Sequence, residues 1–268
     1  MNFWNNFKKD EQLLISHRGL RSLRAENTMA AFKQVIGTYK IVEFDVAFTK
    51  DGIAVIIHDD TLERTSNVKE FEEFKKPYKV VDYTYEQLLK LDFSSWFIKE
   101  DPFNTIKENK VSLEDLKKEQ IEKIPTLKEL LLFLKENNIF ANIEIKDLEN
   151  TNFHEIAAKE VLKIVDETKM QNKVIISSFN HVYLKQINNL NPNIDIAALQ
   201  ENKHPKDLIN YLKSLNVKNY NCDFEITDEA LVKKLVDEGF YINVYTVNKK
   251  EDIEKLFNWG VKSVFTDY

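Results

Sequence analysis

Apolar and polar positions alternate along the chain with two different periods. Runs of β-branched and aromatic residues typical of strands are separated by stretches whose apolar residues recur every three or four positions, as in amphipathic helices. We predict strands at residues 13–17, 41–48, 140–146, 174–178, 194–199, 218–223, 241–246 and 262–266. We predict helices at residues 28–38, 127–137, 153–168, 181–188, 206–215, 228–238 and 250–259.

Strands that alternate with helices indicate an α/β protein with a parallel sheet, because a parallel connection needs a crossover, usually a helix. Eight such strands can close into a (β/α)8 TIM barrel, a fold that commonly fills about 250 residues. The competing architecture is an open doubly wound sheet. The chain has no glycine-rich strand-to-helix turn of the dinucleotide-binding type, so the barrel is favoured.

One region departs from this alternation. Gly52 predicts a hairpin turn between the second strand and an apolar run at residues 53–57. Residues 59–125 are then long, charged and irregular, far beyond the roughly 2–6 residues of an ordinary loop between strand and helix. We interpret residues 1–268 as one domain in which residues 59–125 form an inserted subdomain. Three aromatic residues of the insertion are expected to pack into its core: Phe93, Trp96 and Phe97.

Composition and charge exclude several classes of protein. The 268 residues are 43% hydrophobic, and 38 basic against 44 acidic residues give a formal net charge of −6. Nucleic-acid binders usually carry a clear basic excess, so no nucleic-acid partner is expected. The single cysteine, Cys222, excludes an intrachain disulfide and a cysteine-rich metal site, and it suits a reducing compartment. The sequence makes no prediction about oligomeric state.

No targeting or membrane-spanning segment is evident. The first dozen residues lack the apolar run of about 7–15 residues that a secretory signal needs. The longest uninterrupted apolar runs, residues 53–57 and 130–134, have five residues, whereas a spanning helix needs ~20. We therefore expect a cytoplasmic protein in which Phe3, Trp4 and Phe7 pack onto the domain rather than against a lipid surface.

Polar residues occupy alternate positions in two strands that should be buried on both faces. Side chains two residues apart share one face of a strand. In the second strand the apolar residues would face the helices, so Glu43 and Asp45 point into the barrel. The same alternation directs Asn142, Glu144 and Lys146 inward from the strand at residues 140–146.

The three inward carboxylates predict a site for one divalent cation. Glu43, Asp45 and Glu144 offer oxygen ligands that suit Mg²⁺ or Ca²⁺, and without a cation they would repel one another. One ion would leave a net charge of about −1, so a cationic side chain such as Lys146 is needed before an anion can bind. The alternative is a buried ion-pair network centred on Lys146, without a metal.

Two histidines follow strands close to this cluster. His17 ends the first strand, and His58 ends the return strand of the hairpin. A single histidine in such a place is more often structural, but a pair beside carboxylates can supply a base and an acid near neutral pH. Arg18 adds a planar guanidinium that matches phosphate oxygens, which indicates metal-assisted displacement at phosphorus. The other histidines are expected to be surface or structural residues: His154, His181 and His204.

Six short strings occur in order along the chain: Ser16-His17-Arg18-Gly19, Ala25-Glu26-Asn27-Thr28, Glu43-Phe44-Asp45, His58-Asp59, Asn142-Ile143-Glu144-Ile145-Lys146 and Thr246-Val247-Asn248. In this order and spacing they resemble the signature of the glycerophosphodiester phosphodiesterases. The resemblance extends from about residue 15 to residue 267, and the ordered set is more specific than any one string. It implies a (β/α)8 barrel with an insertion after the second strand region.

The resemblance also implies roles for individual residues. It implies one divalent cation held by Glu43, Asp45 and Glu144, an acid/base pair of His17 and His58, phosphate binding by Arg18 and Lys146, and a first loop supported by Glu26 and Asn27. From the residues alone, the Ala25-Glu26-Asn27-Thr28 string also fits a helix N-cap with an acidic first turn. Members of the family often carry tryptophan where this chain has Tyr245, which is expected to line the substrate pocket.

The predicted reaction is hydrolysis of a glycerophosphodiester to sn-glycerol 3-phosphate and an alcohol. One alternative is a phospholipase-type phosphodiesterase that acts on lysophospholipids or forms a cyclic phosphate. The lack of an obvious membrane-binding element favours water-soluble diesters. A more distant alternative is a non-catalytic anion-binding barrel, because a fold alone does not establish a function. The sequence leaves open the alcohol released, the choice of cation and which histidine is the acid.

Overall fold

The computed structural model describes residues 2–118 and 121–268. Its strands are β1 (Leu13–His17), β2 (Ile41–Phe48), β3 (Ala54–Ile56), β4 (Phe140–Ile145), β5 (Val174–Ser178), β6 (Asp195–Gln200), β7 (Asn219–Asp223), β8 (Tyr241–Tyr245) and β9 (Ser263–Thr266). Its helices are α1 (Met29–Lys33), α2 (Tyr85–Leu88), α3 (Ser95–Glu100), α4 (Leu113–Lys118), α5 (Leu127–Glu136), α6 (Ala157–Thr168), α7 (His181–Leu190), α8 (Leu208–Ser214), α9 (Glu229–Asp237) and α10 (Lys250–Trp259). Single turns of 3₁₀ helix lie at Phe3–Asn6, Val68–Glu70, Val80–Asp82, Gln171–Lys173 and Phe224–Ile226.

The strands form a closed parallel barrel. Hydrogen bonds join them in the order β1, β9, β8, β7, β6, β5, β4, β2, and β2 pairs again with β1. Strand β3 lies outside this ring and pairs antiparallel with the end of β2. The predicted (β/α)8 TIM barrel is therefore confirmed, and the open doubly wound sheet is excluded.

Two predicted helices are longer than the observed ones. Helix α1 ends at Lys33 rather than at residue 38, because the next residues form tighter i to i−3 bonds, such as Ile36 N–H to Lys33 O. Helix α6 begins at Ala157 rather than at residue 153. The hydroxyl of Thr151 accepts a hydrogen bond from the N–H of Phe153 there and holds a separate turn. The other predicted boundaries agree with the structure within two residues.

The amino-terminal segment covers one end of the barrel. The 3₁₀ turn Phe3–Asn6 buries Phe3 and Trp4. Each contacts the first residues of barrel strands: the Phe3 ring lies 5.6 Å from the ring of Phe140, and the Trp4 indole N–H donates to the side chain of Asn219. This segment therefore closes the amino-terminal end of the barrel and leaves the carboxyl-terminal end open for a site. The expectation that Phe3 and Trp4 pack onto the domain is confirmed.

We expect Trp4→Ala to destabilise the barrel without altering its chemistry. Truncation of a buried tryptophan costs about 3–5 kcal/mol, and Trp4 is only 4% exposed. Urea unfolding should show this loss, whereas Ile36→Ala, at a position that is 46% exposed, should change stability by less than ~0.5 kcal/mol. Turnover per folded molecule should be unchanged, because Trp4 lies at the end of the barrel opposite the candidate site.

The segment between β3 and α5 packs on the barrel. Its apolar side chains form a cluster with Ala47 and Val55 of the β2–β3 hairpin. Phe93, Trp96 and Phe97 are buried, as expected for residues that pack a core. The predicted insertion at residues 59–125 includes Glu119 and Gln120, which lie outside the described residues, as does Met1. In the part of the chain that is described, no helix is long and apolar enough to cross a membrane.

Candidate active site

A cavity of about 620 Å³ opens at the carboxyl-terminal ends of the barrel strands. Strand register brings the predicted residues to its floor. His17 at the end of β1 is paired with Glu43 of β2, and Asp45 of β2 is paired with Glu144 of β4. The cavity is the expected place for an active site in a TIM barrel. The predicted residues that line it are His17, Arg18, Glu43, His58, Glu144, Lys146 and Tyr245.

The three predicted carboxylates converge. One oxygen from each of Glu43, Asp45 and Glu144 lies within 4.8 Å of the others, and all three side chains are buried. Burial, together with the charges of Asp45 and Glu144, raises the pKa of Glu43 well above its ordinary value. Burial alone would also raise the pKa of Asp45, but the cationic Arg18 and Lys146 outweigh it and lower that pKa. A buried cluster of oxygen ligands with this excess of negative charge could hold a hard divalent cation.

Lys146 and Arg18 also form part of the ion-pair network that was the alternative to a metal site. Lys146 Nζ lies 2.6 Å from a Glu144 oxygen and 3.5 Å from an Asp45 oxygen, and Arg18 Nε lies 3.3 Å from the other Asp45 oxygen. These contacts lower the pKa of Asp45, but burial outweighs Lys146 at Glu144 and raises the pKa of Glu144. Among the described residues, Glu43 accepts the main-chain N–H of Arg18 at 3.0 Å and lies 3.9 Å from His17 Nε2, and burial with its carboxylate neighbours raises its pKa well above the ordinary value. The ion-pair network therefore leaves an excess of negative charge at Glu43, where a cation could bind.

Each candidate catalytic histidine has a carboxylate at its Nδ1 atom. His17 Nδ1 lies 2.8 Å from an Asp267 oxygen, and His58 Nδ1 lies 2.7 Å from an Asp59 oxygen. Because a carboxylate only accepts, each Nδ1 donates, and within the described residues neither Nε2 makes a hydrogen bond, although His17 Nε2 lies 3.9 Å from a Glu43 oxygen. Burial lowers the pKa of His17, although its bond to Asp267 opposes the shift. The side chain of His58 is more open, at 32% exposed against 14% for His17.

The first loop is built around Glu26. Its buried carboxylate accepts hydrogen bonds from Arg18 at 3.0 Å, Arg21 at 2.6 Å and Arg64 at 2.7 Å. Burial would raise the pKa of Glu26, but the three guanidinium groups lower it to about 2. Asn27 donates from its side chain to Asp45 at 2.9 Å and from its main chain to the Arg18 carbonyl at 3.0 Å. Both predicted supporting residues therefore contact residues of the candidate site.

Tyr245 lines the cavity, and its hydroxyl is already engaged by the main chain. The hydroxyl donates to the Gln200 carbonyl at 2.8 Å, and burial raises the pKa of Tyr245. The ring meets Phe179 and Phe265 edge to face. The tyrosine therefore presents an aromatic wall, much as tryptophan would.

Several residues of the site were given no role by the sequence, although Asn248 belongs to one of the strings quoted for the family resemblance. Asp267 follows β9, and the rule that polar residues at the carboxyl ends of barrel strands belong to the site would have found it. Asn248 holds Asp267 by two hydrogen bonds, of 2.7 and 2.9 Å. Arg21 and Arg64 lie in irregular segments, where no periodicity indicates the direction of a side chain. His154, His181 and His204 each bond a tyrosine hydroxyl through Nδ1, which fits their predicted structural role.

Comparison with known proteins finds relatives that match almost the whole chain. A model of the glycerophosphoryl diester phosphodiesterase family matches residues 17–268. A glycerophosphodiester phosphodiesterase of Caldanaerobacter subterraneus subsp. tengcongensis is 32% identical over 95% of this chain and 93% of its own length. One from Bacillus altitudinis is 31% identical over 95% of this chain and 94% of its own.

A solved structure shares the whole fold. The phosphodiesterase of Oleispira antarctica, in complex with the product sn-glycerol-3-phosphate, superposes with a TM-score of 0.80 and 25% identity, covering 100% of this chain and 96% of that one. The family match spans almost the full length of the barrel, and the two relatives exceed 30% identity over nearly all of both chains. The chain therefore belongs to the glycerophosphoryl diester phosphodiesterase family.

Proposed function

We propose that this chain is an enzyme that hydrolyses glycerophosphodiesters to sn-glycerol 3-phosphate and an alcohol, with the help of one divalent cation. The observation that carries the proposal is the convergence of the carboxylates, the histidines and two basic side chains in one cavity. Family membership supports the same reaction. Both features favour catalysis over a non-catalytic anion-binding barrel.

Arg18 and Lys146 would bind the phosphate. Lys146 is mostly buried, and its carboxylate neighbours raise its pKa, so it stays protonated. The cation would be held by Glu43, Asp45 and Glu144, where it would neutralise the cluster and withdraw charge from a phosphate oxygen. Lys146 contacts Glu144 and Asp45, and with that cluster neutralised its ammonium group would be available to a phosphate. The cationic side chains then stabilise the negative charge that develops on the transferred phosphoryl group.

His17 and His58 would act as the acid/base pair. Each histidine donates its Nδ1–H to a carboxylate, so Nε2 is the atom that would accept or donate a proton in the reaction. One histidine would deprotonate the nucleophile, water or a substrate hydroxyl, and the other would protonate the departing alkoxide. Asp267 and Asp59 fix the rings and stabilise the imidazolium form when it appears.

The ligand set suits Mg²⁺ or Ca²⁺, because it consists of carboxylate oxygens and leaves the rest of the coordination shell to water and substrate. We expect purified protein to release glycerol 3-phosphate from glycerophosphocholine, to lose this activity with a chelator, and to regain it with one of the two ions. Activity that a chelator leaves untouched would contradict the cation site. A persistent cyclic phosphate, or turnover of lysophospholipid alone, would favour the phospholipase-type alternative.

We further propose that residues 1–268 act as one catalytic domain, with residues 59–125 as its insertion, in the cytoplasm. The packing of the segment after β3 against the β2–β3 hairpin supports the first point. The single cysteine, which suits a reducing compartment, supports the second. Limited proteolysis should release no stable fragment of residues 59–125, and cell fractionation should recover the activity with cytoplasmic markers.

A further inference from the structure

A continuous path of charged hydrogen bonds and ion pairs runs between the two candidate catalytic histidines, and it passes through Arg64. At one end, Asp59 accepts from His58 Nδ1 at 2.7 Å. Arg64 donates two hydrogen bonds to the same carboxylate, from Nε to Oδ2 at 2.7 Å and from Nη2 to Oδ1 at 2.9 Å. Such a bidentate pair fixes the plane of the carboxylate as well as its position. Asp59 is therefore held in the orientation that receives the imidazole N–H.

The path continues from Arg64 to the first loop. Its Nη2 atom also lies 2.7 Å from Glu26, whose side chain is only 2% exposed. Glu26 in turn accepts from Arg18 and Arg21. Arg21 Nη1 lies 3.6 Å from the Asp267 oxygen that bonds His17. Within the described residues, Arg64 is the side chain that bonds both Asp59 and Glu26, and so joins the His58 end of the path to the His17 end.

The guanidinium group of Arg64 packs against a buried aromatic ring. Its guanidinium carbon lies 6.0 Å from the centre of the Trp96 ring, within the range of a cation–π contact. Trp96 is buried in a cluster with Ala25, the residue before Glu26. The side chain of Arg64 is 38% exposed, so the contacts of its guanidinium group, rather than deep burial, determine its direction. His58 lies beyond the end of the short strand β3, and its side chain is more exposed than that of His17.

We propose that Arg64 is a positioning residue of the active site: it holds Asp59 against Nδ1 of His58 and ties that pair to the Glu26 cluster of the first loop. The inference rests on the proposed function, because it gives His58 a part in proton transfer. Arg64 needs no contact with substrate for this role. Its loss frees the Asp59 carboxylate to turn towards water, and the His58 ring then samples other orientations and both neutral tautomers.

The kinetic test uses Arg64→Gln, Arg64→Lys and a double variant. Loss of a partner that orients a functional side chain typically costs 10–100-fold in activity, so we expect kcat of Arg64→Gln to fall by about that factor while KM changes by less than ~3-fold. Arg64→Lys should recover little, because an ammonium group cannot make the bidentate contact. In a His58→Ala background, Arg64→Gln should cause almost no further loss. Lys69→Gln, which breaks a surface ion pair with Glu63, is the matched control and should keep normal kcat.

A spectroscopic readout separates this inference from the proposed function. In ¹⁵N-labelled protein, the ring signals of His58, assigned by their loss in His58→Ala, should report one Nδ1–H tautomer in the wild type and a mixture in Arg64→Gln. This can be measured whether or not glycerophosphocholine is hydrolysed. Unchanged His58 signals in folded Arg64→Gln would overturn the inference, as would an equal loss of kcat with and without His58. Absence of turnover by the wild type, with the tautomer shift present, would overturn the proposed function alone.

Discussion

Replacing His17 or His58 by alanine is expected to lower kcat by about 10²–10⁴-fold, because each change removes one partner in proton transfer. Both imidazoles line the cavity beside the carboxylate cluster, and in the part of the chain that is described neither Nε2 makes a hydrogen bond. The measurement is release of glycerol 3-phosphate at saturating substrate, together with a thermal melt of each variant. A folded variant with near-normal turnover would contradict the assignment.

The control for this experiment is His154→Asn. His154 is also half-buried and also bonded through Nδ1, at 3.0 Å from the hydroxyl of Tyr183, but it lies outside the catalytic cavity. Its replacement should leave kcat within about threefold of the wild type, since changes remote from the reacting groups remove no interaction specific to the transition state. A loss as large as that of His58→Ala would show that the effect is not specific to the catalytic pair.

The two histidine variants should differ in stability. His17 is the more buried, and its removal leaves the Asp267 carboxylate in a mostly buried place without one of its donors. Leaving a buried acceptor without a hydrogen-bond donor lowers the free energy of unfolding by about 1–3 kcal/mol, or by more when the acceptor is charged. Asp59, in contrast, keeps both contacts with Arg64 after His58 is removed. We therefore expect His17→Ala to melt at a lower temperature than His58→Ala, although both lose activity.

The sequence predicts the strand residues at the bottom of the cavity better than the loop residues that hold the site in place. The two-residue period of a strand places Glu43 and Asp45 on one face whatever the loops do, and parallel pairing then brings Glu144 next to Asp45. No such rule governs the irregular segments. Arg64 reaches Glu26 across 38 positions of sequence, through a loop whose path depends on how the insertion packs. The contact between Arg64 and Glu26 therefore becomes evident only from the folded structure.

Gly19 shows the same limit at a single position. Nothing in its sequence context indicates a turn or a helix end. In the structure its φ is +78°, and a Cβ atom there would lie 2.8 Å from the Cβ of Ala31. The glycine therefore lets the loop that carries His17 and Arg18 pass close to α1. Close approach of two backbones depends on tertiary packing, which a local pattern does not contain.

The largest effect after the histidines is expected at the cation site, where Glu43→Gln should separate metal binding from folding. A bound metal supplies several kcal/mol of transition-state stabilisation, so kcat/KM should fall by about a thousandfold or more in this variant, as it should in the chelated wild type. The apo form of Glu43→Gln should nevertheless be more stable than the apo wild type. The substitution removes a buried charge that Asp45 and Glu144 repel.

Thermal melts with added Mg²⁺ or Ca²⁺ then distinguish the two interpretations of the cluster. An ion that binds only the folded state stabilises it by about 2.7 kcal/mol at a hundred times its Kd, so the wild type should melt higher with the ion and Glu43→Gln should respond little. Glu167→Gln, which removes an exposed carboxylate paired with Lys128, should respond like the wild type. If the cluster were only an ion-pair network around Lys146, no ion would raise the melting temperature and Glu43→Gln would keep its activity. Glu43 is the carboxylate that this network compensates least, so its substitution is the sharpest test of whether the cluster holds a metal.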